Sequence, residues 1–295
     1  MLPEFPKMKP IKLSDREDVE KFTRKFPPYS DFNFANMWSW NIHQKMMICQ
    51  LNKNFVALFN DYVTGEHFLS FIGENKIFET ASELIEFSKE HYHTNFLKLI
   101  PEEMAVILSK AGFKTTPDRD SYDYIYSVEN LAKLLKGSHH KKIRNFIKMY
   151  PNCVVEYSSI HEVLKDEHKK MFKKWAENRK KEKHFELNEY KAFERILQIK
   201  DDNIEVLSLY VNDILVGFTI YEIISRDYAV AHFSKADIKY HSSIYELLNQ
   251  EEVKALEAKK IKYYNWEQDL GIAGLRYSKE RYNPEFFLKK FVISK

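Results

Sequence analysis

The hydrophobic period of this chain switches between the two-residue alternation of a strand and the 3.6-residue repeat of a helix, in one order, twice over. In the first pass, Ser14-Asp15-Arg16-Glu17 reads as a capping box opening a helix with Val19, Phe22 and Phe26 on one face, stopped by Pro27-Pro28. A short helix over 33–40 follows, then strands over 46–51, 55–59 and 67–72, a helix over 81–89, a strand over 96–100, a helix over 102–111 and a strand over 122–128. The second pass opens with a strand over 154–157. A long helix then places Leu164, His168, Met171, Phe172 and Trp175 on one side. It continues with a helix over 189–199, strands over 204–211, 214–224 and 228–233, a helix over 243–258, a strand over 262–265, a helix over 272–280 and a strand over 286–293. Both passes contain the order ααβββαβαβ. The fold class expected is α/β (α+β), with two tandem domains, each a mixed, mainly antiparallel sheet flanked by helices. The boundaries fall at 1–130 and 152–295, joined by a basic connector over 131–151.

Length and composition agree with two folded units. The chain has 295 residues, 44% hydrophobic and 15% aromatic, with only seven glycines, enough apolar surface for large cores. No window reaches the roughly 20 apolar residues of a membrane span. Met1-Leu2-Pro3-Glu4-Phe5-Pro6 lacks the charged start and apolar stretch of a secretion signal, so a cytoplasmic protein is expected. Cys49 and Cys153 form no CxxC pair, which points to reduced strand residues rather than a disulfide framework or a zinc site. The His91-Tyr92-His93 spacing falls at a helix end and does not suit a metal. No P-loop, GxGxxG or Ser-His-Asp order is present.

Charge is concentrated. Residues 133–183 hold fifteen Lys and Arg against six Asp and Glu, while the whole chain carries only +3. His139, His140, Lys141, Lys142 and Arg144 form a cluster able to neutralise phosphates, and Arg144 with Asn145 suits a phosphate or carboxylate. The same residues also fit a solvated helix face.

The densest polar group stands where the 262–265 strand ends. Asn265-Trp266-Glu267-Gln268-Asp269 packs two carboxylates, two amides and an indole into five positions, and ligands of α/β folds gather at strand carboxyl ends. Glu267 or Asp269 can accept a proton from an incoming amine, and Trp266 can stack on a substrate plane. The alternative is a turn in which Asp269 caps the following helix. Arg276 and Lys279 on that helix can supply positive charge, or simply cover its surface. His232, Ser234 and Lys235 end the neighbouring strand, with His232 as a side chain that titrates near neutrality or as an ordinary strand histidine.

The doubled order of elements resembles the fold of the GCN5-related N-acetyltransferases. That resemblance implies a cofactor site where two central parallel strands splay, here 228–233 and 262–265. Acetyl-CoA members carry a Q/R-x-x-G-x-G/A loop, whereas Lys239-Tyr240-His241-Ser242-Ser243-Ile244 has no glycine, which disfavours acyl-CoA. A more specific resemblance lies in four stretches. They are Asp31-Phe32-Asn33-Phe34-Ala35-Asn36-Met37-Trp38, Leu135-Lys136-Gly137-Ser138-His139-His140-Lys141-Lys142-Ile143-Arg144-Asn145, Asn265 to Arg276, and Tyr282-Asn283-Pro284. Together they are similar to the bacterial family related to the catalytic domain of phosphatidylglycerol lysyltransferase. It implies a tandem acyltransferase fold shared with enzymes that move an amino acid from aminoacyl-tRNA to a lipid or a peptidoglycan peptide. The expected function is therefore acyl or aminoacyl transfer to an amine or hydroxyl. The expected donor is aminoacyl-tRNA, and the expected partners are tRNA and an anionic small molecule or lipid head group. Two other readings stay open: an N-acetyltransferase with a nonstandard acyl-CoA loop, and a non-catalytic protein binding RNA or an anionic metabolite.

Overall fold

The structure, a computed structural model, describes residues 1–60, 65–137, 140–162, 165–178 and 183–295. The chain runs through β1 (Lys9–Pro10), α1 (Arg16–Thr23), α2 (Phe34–Trp40), β2 (Met47–Leu51), β3 (Asn54–Asn60), β4 (His67–Ile72), α3 (Ile77–Tyr92), β5 (Phe96–Pro101), α4 (Glu102–Lys110), β6 (Lys114–Pro117) and β7 (Asp123–Ser127). Two helices follow, α5 (Val128–Lys136) and α6 (His140–Met149). The second pass is β8 (Cys153–Ser159), α7 (Lys165–Asn178), α8 (Lys183–Ile196), β9 (Ile204–Val211), β10 (Ile214–Ile223), β11 (Tyr228–Ala236), α9 (Ile244–Ala258), β12 (Tyr263–Asn265), α10 (Ala273–Glu280), β13 (Phe286–Leu288) and β14 (Lys290–Ser294). The order βααβββαβαββ thus occurs twice; the first pass gains β1 and β6 over the succession read from the sequence, and the strand read over 286–293 divides into β13 and β14.

The chain forms two compact units, and neither is continuous in sequence. The first comprises Met1–Asp123, Gln268–Tyr277 and Phe287–Lys295, and the second comprises Tyr124–Glu267 and Ser278–Phe286. This departs from the division expected at 131–151. α5 and α6 belong wholly to the second unit, and two later segments return to the first. The reason lies in strand pairing. In the first unit β1-β2-β3-β4 form one antiparallel sheet, β5-β14-β6 form another, and β5 runs beside β4 without a hydrogen-bonded ladder. In the second the order is β13-β7-β12-β11-β10-β9-β8. β7 and β14 hold equivalent places in the two passes, and each completes the sheet of the other pass. Tyr124, Ile125 and Tyr126 are all fully buried, as expected of a strand covered on both faces.

Each core follows from the pattern. In the first unit Phe55 and Phe59 of β3 meet Phe32 edge-on at 6.3 and 6.0 Å, and Ile77, Ala81, Leu84 and Ile85 bury one stripe of α3. In the second, Phe172 of α7, Phe193 of α8, and Phe218 and Phe233 of the sheet form an aromatic cluster with centroids 4.9–5.8 Å apart. Each such ring contributes about 2–3 kcal/mol by leaving water. Asn212 and Asp213, both with positive φ, close the β9–β10 hairpin in the conformation that matches strand twist.

Some local readings change. Ser14 does not cap α1. A tight turn over Leu13–Asp15 comes first, and the Asp15 carboxylate accepts from the Lys12 N–H at 2.9 Å and from Lys9 Nζ at 2.8 Å. The basic connector is not a linker, because Val128, Leu131, Ala132 and Leu135 bury one face of α5, and Ile143 and Phe146 bury one face of α6. Leu164 and His139 lie outside the described residues. Cys49 is buried in β2, and burial pushes its thiol up to about 12.

Candidate functional site

In the second unit β11 and β12 run parallel, paired over Tyr228–Tyr263, Ala229–Tyr264 and Val230–Asn265. Past Val230 the two strands part, while β11 continues along β10 to Ala236. Beyond Val230, β11 and β12 share no paired register among the described residues. Ligands of α/β sheets gather at an opening of this kind, at strand carboxyl ends.

The chain is strained and irregular at this point. The β10–β11 register shifts between Ile220 and Tyr221, opposite Phe233 and Ala231, which leaves His232 as the extra residue of a bulge. On the other side of the opening, Asn265 is fully buried, and its Oδ1 accepts the Glu267 N–H at 2.6 Å. This side-chain turn holds Glu267 at φ 58°, a left-handed conformation that costs a residue with a Cβ about 1–2 kcal/mol.

Bulge and turn bring three titratable groups together. The His232 ring is fully buried, with Nε2 3.3 Å from Glu222 Oε2 and Nδ1 3.5 Å from Glu267 Oε1. Burial opposes a charge on this ring. The hydrogen bonds and charges of Glu222 and Glu267 outweigh burial and raise His232 from 6.5 to about 9. The imidazolium is thus its state at neutral pH. Of the two carboxylates, Glu222 is 1% exposed and Glu267 20%, so only Glu267 is open to a substrate.

The remaining residues singled out in the sequence fall into distinct places. Lys235 is buried on β11, with Nζ 2.5 Å from Glu189 Oε1 and 4.1 Å from the centre of the Trp175 ring. Ser234, between His232 and Lys235, has a buried Oγ without a hydrogen-bond partner among the described residues. Trp266 packs at 4.4 Å from Tyr126 and 5.0 Å from Tyr282, forming a wall of this unit rather than a free platform. Lys279 donates to the Trp266 carbonyl at 2.5 Å.

Asp269 and Arg276 belong to the first unit, and there the capping reading prevails. Asp269 is fully buried, accepts the Gly271 N–H at 2.8 Å and is held by Arg119 at 3.0 Å and Arg276 at 2.8 Å. A carboxylate bound by two guanidinium groups is a poor proton acceptor, and Arg276, which also pairs with Asp120, is engaged by protein carboxylates. Lys142, Arg144 and Asn145 lie exposed on α6. Lys142 Nζ is 3.3 Å from Glu246, which also takes Arg281 at 3.0 Å.

Two carboxylates of this unit escaped the sequence reading. Glu222 sits in an apolar strand, and a lone charge in such a run signals a buried partner. Glu252 of α9 is also buried; Thr219 and Tyr264 donate hydrogen bonds to it, and burial pushes it up to about 7 against them. The loop over 239–244 spends its amides internally. Lys239 and Tyr240 donate to Asp237, and Ser243 and Ile244 to His241. Among the described residues there is no group of three metal-ligating side chains, and no helix is long and apolar enough to cross a membrane.

The class this defines is a mixed α/β fold whose order of elements occurs twice, with one sheet opening between a bulged strand and its parallel neighbour. More narrowly, the chain belongs to the phosphatidylglycerol lysyltransferase C-terminal family, whose model matches residues 23–294. Among solved structures it is similar to a conserved protein of unknown function from Bacteroides thetaiotaomicron, at 24% identity and a TM-score of 0.80, over 100% of this chain and 99% of that one. It is also similar to L-PGS from Bacillus licheniformis, at 11% identity and 0.63, over 95% and 92%. A third likeness is to FemX, at 10% identity and 0.56, over 97% of this chain and 96% of that one. These likenesses bear on the fold. No curated protein matches the chain.

Proposed function

We propose that the protein transfers an acyl group, the aminoacyl group of aminoacyl-tRNA, to an amine or hydroxyl acceptor where β11 and β12 part. One observation carries this reading: a buried histidine on a bulge lies 3.5 Å from a partly open carboxylate, Glu267, at the end of the parallel strand pair. In the reaction the acceptor nitrogen or oxygen attacks the ester carbon, and its proton passes to Glu267. Main-chain N–H groups at the opening receive the oxyanion. The bond to the ribose oxygen then breaks, and that oxygen takes the proton back from Glu267. Ser234, Asn265 and Trp266 shape the wall of this opening. No nucleophilic side chain is required.

The exposed cations of α6, Lys142 and Arg144, with Asn145 beside them, would hold the phosphates of the donor or the anionic part of the acceptor. Acyl-CoA ranks below aminoacyl-tRNA as donor, because the loop over 239–244 offers a pyrophosphate neither a glycine nor those four amides. A cytoplasmic setting fits a tRNA-dependent reaction.

The test is transfer of radiolabelled amino acid from a mixture of aminoacyl-tRNAs to amine-bearing and anionic-lipid acceptors, alongside gel-shift titration across salt. Transfer abolished in Glu267→Gln, with binding that weakens steeply as salt rises, supports the reading. Binding without transfer favours the non-catalytic alternative. A rise in Tm with millimolar acetyl-CoA, and none with aminoacyl-tRNA, replaces the donor.

A further inference from the structure

Glu222 lies near the end of β10 among apolar neighbours, with its carboxylate out of water. An unpaired carboxylate there would cost several kcal/mol, and the His232 ring is the cation set against it. The ring faces a carboxylate at each nitrogen, Glu222 at Nε2 and Glu267 at Nδ1. A neutral tautomer would turn a lone pair toward one of the two carboxylates, so this geometry holds both nitrogens protonated. Each of the three groups comes from a different element: β10, the bulge of β11, and the left-handed turn after β12.

We propose that Glu222 is a positioning residue that acts through His232, fixing the ring as an imidazolium so that Glu267 is aimed at the acceptor and the three groups together carry one negative charge. This rests on the acyl-transfer reading above. The charge count matters to the step. As the acceptor's N–C or O–C bond forms, its proton neutralises the trio, and when the ester C–O bond breaks the proton leaves with the ribose oxygen. Without the charge of Glu222 the buried ring gives up its proton, and Glu267 is no longer held at Nδ1 by an imidazolium.

Charged groups on the packed elements are engaged elsewhere. On β11 and α8, Lys235 pairs with Glu189. On α7, Lys174 pairs with Asp237, Lys169 with Glu194, and His168 bonds to Ser208. On α9, Glu252 receives the hydroxyls of Thr219 and Tyr264.

The experiment follows the His232 ring by NMR in the full chain, with its signal assigned from the spectrum of His232→Gln. In the wild type the ring stays charged up to about pH 9, and in Glu222→Gln its titration falls toward 6.5. The alkaline limb of the transfer rate moves down by the same interval, kcat drops at least about tenfold with KM unchanged, and Glu222→Asp recovers part of both. A merely structural Glu222 would lower Tm and leave titration and pH profile in place. Unchanged titration in a folded Glu222→Gln, or in Glu222→Asp should the first variant not fold, overturns the proposal. Titration that falls as expected, in a wild-type protein that transfers nothing, overturns the reaction while leaving the hold of Glu222 on His232 standing.

Discussion

Each unit buries a cluster of charges, and the two clusters are built to opposite ends. In the first unit Lys290 of β14 is fully buried against Asp123 at 2.9 Å and against Asp31, and Ser30 donates to Asp123 by its N–H at 2.8 Å and its hydroxyl at 2.5 Å. Gln268 donates to both oxygens of Asp31. Burial raises Asp123 to about 6 against the pull of Lys290, and the two aspartates keep Lys290 protonated despite its burial. Every group in it is bonded to another. In the second unit the Glu222–His232–Glu267 trio has one member reaching outward on a strained backbone. Satisfaction on all sides marks a cluster that fixes a fold, and an open member marks one that can exchange a proton.

The difference can be broken by substitution. Lys290→Met leaves Asp31 and Asp123 without their cation and is expected to cost about 3–5 kcal/mol, read from the urea midpoint. A loss below about 1 kcal/mol would remove the first cluster from the fold's supports. Glu267→Gln is expected to lower transfer by about a hundredfold or more while Tm stays within a degree or two, since its carboxylate is partly in water. A large fall in Tm would make the second cluster a structural one too.

The pH dependence sharpens the contrast. His232 has its folded value raised above 6.5, so its contribution is fully present below about pH 6.5 and is lost as pH rises through about 9. It amounts to about 3 kcal/mol, and comparison of ΔG at pH 6 and pH 9.5 in the wild type and in His232→Gln isolates it. The smallest effect belongs to Gln268→Ala, next in sequence to Glu267 but in the other unit. It should cost about 1 kcal/mol of stability through Asp31 and leave transfer unchanged. Loss of transfer in that variant would erase the distinction between the two neighbours.

Most of this fold is written locally. Strand and helix periods place the shared βααβββαβαββ order, and the parallel pair of β11 and β12 follows from a helix lying between two strands. The membership of β7 and β14 is not local. Tyr124-Ile125-Tyr126 reads as a strand buried on both faces, but nothing in it names the neighbours across which it hydrogen-bonds. The site was legible to the same degree. Glu267 follows the end of β12 and His232 stood near the end of the strand read over 228–233, so both could be chosen by position, whereas Glu222 owes its proposed role to a bulge that turns His232 toward it, and a register shift leaves no composition signal. Asp269 shows the converse, since its neighbours in sequence suggested catalysis and two arginines from its own unit claimed it.

The reciprocal placing of β7 and β14 has a consequence for how such a chain is made. The first unit lacks the strand between β5 and β6 until Lys290–Ser294 has left the ribosome, so the earliest part of the chain to emerge is among the last to close. A gene cut anywhere in 131–151 would yield two polypeptides, each carrying a strand it cannot use and missing one it needs. The ion pair between Asp123, first residue of β7, and Lys290, first residue of β14, then reads as a clasp that engages only on a chain made whole.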